Sequence, residues 1–446
     1  MKKKKYLAAL VFLLLLALAA CGRAEEPSQA PPAPEETELL IAVFEGGYGR
    51  AYWDAIAGAF EEEHPGVHVE VMSHPEIGEI IRPNVIAGNP PDFIYLPSTN
   101  NSYVTRGMTE DHAIADITDV MEGIQDRFLP GFLESRACQP YGDGRIYLAP
   151  VYYSATGLWY NRDYFEREGL SVPATWEAFF DLGERGKETL HRSLFTYQGL
   201  YPTYFECMLI PAITSSAGVE AMNACENFET GAWSNPAVVG VLRDIACIGR
   251  EGYLLPGSTA FDHIQAQSCW LMGEALFHPN GGWVESEMKD YPREAGFEFG
   301  FAVPPAVPGE GEKYIYTAID EMYIPAAAKN KELSKQFLAF QYSDEAIELN
   351  ARLANGVPPV RGAAQVLKQY ASDAVYQSCA VFDHSYRPYI TNYAMLPEGE
   401  EVPRDVVYNN IGSVLDGSLS VEDWVAQLEE VSAAVQKNKQ AAAGSE

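Results

Sequence analysis

Positive charge is scarce in this chain. Lys and Arg number 31 against 62 Asp and Glu, a formal charge of −31 at neutral pH. A phosphate-backbone partner is held by clustered Lys and Arg, and beyond the first five residues no such cluster occurs. That argues against nucleic acid, and against a basic patch on anionic lipid. After residue 20 no apolar stretch approaches the roughly 20 residues that cross a bilayer. The seven cysteines contain no C-x-x-C, which disfavours a zinc ribbon. No G-x-S-x-G elbow, H-E-x-x-H pair or G-x-x-x-x-G-K-[ST] loop occurs. The common signatures of serine hydrolases, zinc proteases and phosphate-loop enzymes are therefore missing. No internal repeat is visible.

What is present starts at the N-terminus. Lys2 to Lys5 precede an unbroken apolar run, Leu7 to Ala20, of 14 residues. A basic start, a short apolar core and small residues before a cut read as an export signal rather than a membrane span. The run ends in Leu18-Ala19-Ala20-Cys21. This resembles the lipobox of bacterial lipoproteins, which implies that Cys21 becomes the lipid-bearing first residue of the mature protein. The other reading is an ordinary secretory signal followed by a chance cysteine. With residues 1–20 and their four lysines removed, 426 residues remain near −35. Such acidity keeps an exported protein soluble and leaves the lipid as the anchor. Cys138, Cys207, Cys225, Cys247, Cys269 and Cys379 remain for the fold, as bridges or as buried thiols.

Residues 22–37 are rich in Pro, Glu and Ala and read as a solvated tether. Glu38 to Phe44 reads as a strand, a Gly-rich turn follows, and Tyr52 to Glu63 carries Trp53, Ile56, Ala57 and Phe60 at helical spacing. His64-Pro65-Gly66 stops that helix. Val67 to Met72 alternates as a strand, 76–88 is a helix, and Asp92 to Leu96 is an apolar strand. This order predicts an α/β fold with a mostly parallel sheet and helices on both faces. Farther on, Ile146 to Pro150, Leu158 to Tyr160, Phe297 to Val303 and Tyr314 to Ile324 read as strands. The middle and the C-terminal part are helix-rich. Thr175 is placed to cap the start of a helix.

Gly47-x-Gly49 after the first strand is part of a dinucleotide fingerprint. Its third glycine is replaced by Tyr52, whose bulk opposes close helix–strand packing, so a nucleotide is disfavoured. The better reading is a ligand-facing loop in which Tyr48 offers a stacking face. His64, His68 and His74 lie across a Pro-Gly corner that cannot be one helical turn, which disfavours a metal. The carboxylate pairs Glu285/Glu287 and Asp320/Glu321 are weak grounds for catalysis in so acidic a chain. The aromatics are more telling. Many Tyr and Trp sit beside Gly, Asn, Ser or Glu, as in Asn280-Gly281-Gly282-Trp283-Val284-Glu285. A sugar ring has apolar faces and a hydroxyl rim, which flat rings and carboxylate or amide acceptors match.

Four segments carry a family resemblance, and a fifth a likeness to one branch. Tyr141-Gly142-Asp143-Gly144-Arg145-Ile146-Tyr147-Leu148-Ala149-Pro150 resembles the DGKIYGLP-like strand of extracellular solute-binding proteins of carbohydrate ABC transporters. Leu158-Trp159-Tyr160-Asn161-Arg162-Asp163-Tyr164-Phe165, with Pro173-Ala174-Thr175-Trp176-Glu177-Ala178-Phe179, resembles their YNKDLF and PKTWDEF segments. Phe60 to Val69 resembles their helix–PG–strand corner. Ala266 to Met288 is similar to the N-acetylglucosamine/chitobiose-type branch, with Trp270 for a Phe and Glu274 for a Lys.

The resemblance implies a two-lobed periplasmic-binding-protein-like fold of type II, with the ligand between the lobes and no enzyme chemistry, cofactor or metal. Its expected layout is a signal at 1–20, a tether at 21–37, lobe I at 38–150 with 320–362, lobe II at 151–319 with 363–440, and a polar tail at 441–446. The chain is expected to cross between lobes near 148–152 and to return near 316–325. Expected ligand contacts are Glu45, Tyr48, Asn100, Tyr153, Tyr204, Trp283, Glu285 and Asp320. Tyr48, Tyr153 and Trp283 would stack, while Glu45, Asn100, Glu285 and Asp320 would accept hydroxyl protons. The implied partners are a carbohydrate, permease subunits and, through Cys21, the membrane. The protein is expected as a monomer. The alternatives are a surface glycoside hydrolase or lyase using Glu285 or Asp320, and a receptor for a non-sugar nutrient.

Overall fold

A computed structural model describes residues 37–97, 103–309, 311–383, 386–391, 393–394, 396 and 402–443. Ten strands are described: β1 (Thr37–Phe44), β2 (Val67–His74), β3 (Phe93–Tyr95), β4 (Ala149–Ala155), β5 (Gly157–Asn161), β6 (Ser193–Phe195), β7 (Ala275–Asn280), β8 (Phe299–Ala302), β9 (Lys313–Tyr323) and β10 (Tyr386–Tyr389). They form two sheets. One has the order β10-β9-β3-β1-β2 with β4 also paired to β9, and the other has the order β6-β7-β5-β8.

Alternation along β1 explains the first sheet. Leu39, Ile41 and Val43 enter one core with Trp53, Ile56 and Phe60 of the Ala51–Glu63 helix. Ala42 faces a smaller core with Ile77 and Ile81 of the Ile77–Ile86 helix. A two-residue period therefore covers both faces with helices. Tyr52, in the place of the missing glycine, is fully buried and donates its hydroxyl proton to Gln341. The sheet is mixed rather than mostly parallel. β1 runs parallel to β2 and β3, but β9 runs antiparallel to β3 and β4. Ile146 to Leu148 do not join it as a strand. Their backbone is tied instead to Ile117, Thr118 and Cys138, and β4 begins at Ala149.

The chain leaves the first sheet for the second at Thr156, between β4 and β5. After β8 it returns as β9. Thr156 N–H donates to the Tyr316 carbonyl at 2.9 Å, which binds the two crossings together. The second core gathers Leu158, Phe179, Phe195, Met208, Val241 and Ile245. The Val421–Ala443 helix adds Trp424, Leu428, Val431 and Val435 at helical spacing. Ala363, Leu367, Val375 and Cys379 belong to the first core, whereas Val407, Ile411 and Trp424 belong to the second. Thr175 caps the Trp176–Arg185 helix by accepting from Ala178 N–H. The six cysteines of the fold are free thiols, and Cys138, Cys207, Cys225 and Cys379 are buried. Among the described residues no helix is long and apolar enough to cross a membrane.

Two glycines of the Pro236–Arg250 helix give a matched test. A Cβ on Gly249 would stand 1.8 Å from the Leu415 carbonyl oxygen, whereas one on Gly240 meets nothing within 4 Å. Gly249→Ala is expected to cost about 2–3 kcal/mol through overpacking. Gly240→Ala is expected to add about 0.5–1 kcal/mol through lost unfolded-state freedom. Urea unfolding midpoints measure both. Midpoints that move in the same direction would contradict the close approach at Gly249.

Candidate functional site

Between the sheets lies a cavity of about 470 Å³, within the usual range for small-molecule sites. Three parts of the fold line it. The β1 turn and the end of β3 supply Phe44, Gly46, Gly47, Tyr48, Tyr95 and Pro97. The side of the second sheet supplies Tyr201, Thr203, Tyr204, Glu206, His263, Trp283 and Glu287. The crossings supply Thr156, Tyr316, Ala318 and Asp320, and Arg404 closes the wall. Tyr316, Ala318 and Asp320 alternate along β9, so one face of the strand meets the cavity while Ile319 enters the first core.

Aromatic rings form much of the wall. Tyr48 stacks on Tyr152, with centroids 3.9 Å apart and planes 11° from parallel. Tyr95 meets Tyr152 edge-on at 5.6 Å. The Trp283 indole lies over Gly281, where a Cβ would come within 2.1 Å of the ring. Its Cβ also stands 3.0 Å from the place of a Cβ on Gly47, so the β1 turn touches the opposite side of the cavity. Side chains at Gly47 and Gly281 would displace the indole.

The polar groups differ in how they are held. Asp320 Oδ2 accepts from Tyr95 Oη at 2.7 Å. Burial pushes the Asp320 carboxyl up to about 6, against the pull of that hydrogen bond. Glu206 is 1% exposed and takes a two-pronged bond from Arg404, Nε at 2.9 Å and Nη2 at 2.8 Å. Burial opposes the charge on Arg404, but Glu206 raises its pKa above the ordinary range. Glu287 accepts from Gln267 Nε2 at 3.0 Å, with His263 Nε2 at 3.8 Å. Burial, with Glu287 nearby, pushes the Tyr204 hydroxyl up to about 12, while hydrogen bonds with Trp283 and Gln198 oppose the shift.

Of the residues expected from sequence, the structure brings Tyr48, Tyr204, Trp283 and Asp320 to one cavity. It puts three others elsewhere. Glu45 accepts from Ser73 Oγ at 3.0 Å at the edge of the sheet. Tyr153 is 2% exposed and packs edge-on against Phe132. Glu285 accepts from Ser372 Oγ, and burial raises its carboxyl pKa. Asn100 lies outside the described residues, as do Cys21 and the leader. The sequence reading missed Tyr95, Thr156, Glu206, His263, Glu287, Tyr316 and Arg404. Glu287 had a signal, as the partner of Glu285 in an acidic pair two residues apart. His64, His68 and His74 have separate partners: the Phe60 carbonyl, Glu61 and the Glu76 amide. A second cavity of about 390 Å³ lies beside Pro304 and Ile315, and the carboxylate in its wall, Glu312, is already paired with Arg387.

The sequence profile of the family described as bacterial extracellular solute-binding protein matches residues 55–377. The chain belongs to that family. It is a solute-binding protein rather than an enzyme. It is 28% identical over 326 residues to the diacetylchitobiose binding protein NgcE of Streptomyces coelicolor, covering 70% of this chain and 68% of that one. It is 23% identical over 357 residues to the multiple sugar-binding protein of Streptococcus mutans, covering 78% and 80%. Among solved structures, the apo form of RafE from Streptococcus pneumoniae matches with a TM-score of 0.71 at 19% identity, over 90% of this chain and 99% of that chain. A chitin oligosaccharide binding protein matches with a TM-score of 0.69 at 18% identity, over the same shares. These likenesses show the two-lobed α/β fold.

The raised pKa of Asp320 sets a direction for stability. A carboxyl that binds its proton more tightly folded than unfolded favours the folded state below about pH 4, and that contribution is lost as pH rises through about 6. Asp320→Asn keeps an acceptor for Tyr95 and removes the buried charge. We expect it to stabilise the ligand-free protein by about 1–2 kcal/mol near pH 7.5, after allowance for partial exposure, with the gain closing near pH 4. Urea unfolding at the two pH values checks this, and a gain that did not depend on pH would contradict it.

Proposed function

We propose that this protein binds an extracellular carbohydrate, a mono- or oligosaccharide, in the cavity between its lobes and delivers it to an ABC transporter permease. One observation carries the reading: rings at Tyr48, Tyr204 and Trp283 share a cavity with polar side chains at Asp320, Glu287, Arg404 and Thr156. Flat apolar faces take the C–H faces of a pyranose, and the acceptors and donors between them take its hydroxyls. The relatives add support, since they are named for diacetylchitobiose and for multiple sugars. A RafE structure holds raffinose, and a transporter from Bacillus licheniformis holds stachyose. An N-acetylglucosamine-containing ligand is one member of this class.

The mechanism is binding with hinge closure. The first lobe is built on 38–155 with 313–380, whose Ala363, Leu367, Val375 and Cys379 enter the first core. The second is built on 156–302 with the helices from Pro403 onward, so the lobes do not divide at 150, 320 and 362 as expected. Contacts from both lobes form together only when the cavity is closed, so ligand shifts the population toward the closed form that a permease reads. Cys21 carries the lipid that keeps the protein beside its transporter.

Thermal melting against a panel of mono- and oligosaccharides tests the reading. A sugar at a hundred times its dissociation constant is expected to stabilise by about 2.7 kcal/mol. No shift with any sugar, or a shift with peptides alone, would sink it. Trp283→Ala is expected to lower sugar affinity at least tenfold with little change in folding. If stability collapses while the folded fraction binds normally, the indole is a core side chain. Cys21→Ser is expected to move the protein out of the membrane fraction without changing sugar affinity. Continued membrane association of that variant would contradict the anchor.

A further inference from the structure

The charge balance of the cavity says more than its shape. Its wall holds Asp320, Glu206, Glu287, Arg404 and His263. Arg404 and Glu206 neutralise each other through the two-pronged bond. Glu287 has an amide donor and an imidazole at 3.8 Å. Asp320 has the Tyr95 hydroxyl and, among the described residues, no cation in pairing distance. The hydroxyls of Tyr48, Tyr95 and Tyr152 are each near enough to feel its charge, and the Tyr48 ring, stacked by one face on Tyr152, lines the same cavity. Aromatic faces are electronegative and attract cations. A buried carboxylate answered by one phenol and no counter-charge is costly to keep ionised. Neutral hydroxyls can donate to it but cannot offset its charge, whereas an ammonium group does both.

We propose that the preferred ligand is a carbohydrate carrying a protonated amine, with the ammonium at Asp320 against the Tyr48 ring. This rests on the carbohydrate reading above and narrows it. N-acylated and neutral sugars of the same linkage bind more weakly, because they leave Asp320 without a cation. Uronic acids bind weakest, because they bring a second negative charge to it.

Calorimetric titration of the full chain near pH 6.5, in salt enough to screen its overall negative charge, tests the proposal. Matched β-1,4 disaccharides serve as probes: the diamine of glucosamine, its N,N′-diacetyl form and cellobiose, with a glucuronate oligomer as the anionic control. The diamine is expected to bind at least tenfold tighter than cellobiose. Asp320→Asn is expected to bring that ratio to within about twofold of one, with Asp320→Ser as a second variant should the first not fold. Glu63→Gln, on the exposed end of the Ala51–Glu63 helix, is expected to keep the ratio. The ratio is insensitive to any fraction of unfolded protein. Cellobiose or the diacetyl form binding as tightly as the diamine, a diamine that does not bind, or a preference that survives both Asp320 variants would overturn the amine assignment and leave the sugar reading standing. Failure of every sugar of any class would overturn both.

Discussion

The pairing of β4 with β9 is the interaction on which the rest of this structure depends. Residues 149–155 and 317–322 run antiparallel in the first sheet and then part at Thr156 and Tyr316. That ladder fixes where the chain passes between sheets. It also fixes the register that sets Asp320 opposite Tyr152. Since the side-chain period of a strand is two, a slip of one residue would turn Asp320 into the core and Ile319 into the cavity. The scaffold that joins the lobes and one wall of the cavity are thus the same few residues.

The cavity combines two kinds of surface that usually oppose each other. Rings favour desolvation, and carboxylates resist it. Here the conflict is settled differently at each acid. Glu206 is fully covered and answered by Arg404, Glu287 is half-buried with an amide donor, and Asp320 is left with one phenol. The uneven answer is what gives the wall its chemical character, beyond general stickiness toward flat molecules.

Much of the fold was legible because it rests on local patterns. The alternation of β1, the helical spacing of Trp53, Ile56 and Phe60, and the Thr175 cap are all written within a dozen residues. The antiparallel course of β9 was not legible, because no local pattern states which way a distant strand runs. Tyr48, Tyr204, Trp283 and Asp320 were legible as residues of the cavity, and the rest of its wall was not. Tyr152 and Tyr153 are neighbours on one strand and therefore face opposite ways, and the sequence does not say which one backs the cavity wall, as Tyr152 does behind Tyr48. Glu285 and Glu287 stand on opposite sides of a single helical turn, because two residues of a helix are separated by about 200°. Tyr95 reads as core because its strand is apolar. Arg404 lies 198 residues from the Glu206 it binds, beyond any reading of spacing.

Both cores are closed by late parts of the chain. Phe337, Leu338 and Ile347 complete the first, and Trp424, Leu428 and Val435 complete the second. The first core lacks members until residue 380 and the second until residue 435, so neither can be completed by an early part of the chain alone. Contacts so distant in sequence require long loops to close before they form. For a member of an extracellular family, a chain whose centres stay open until late elements are made has little folded structure to resist passage across a membrane.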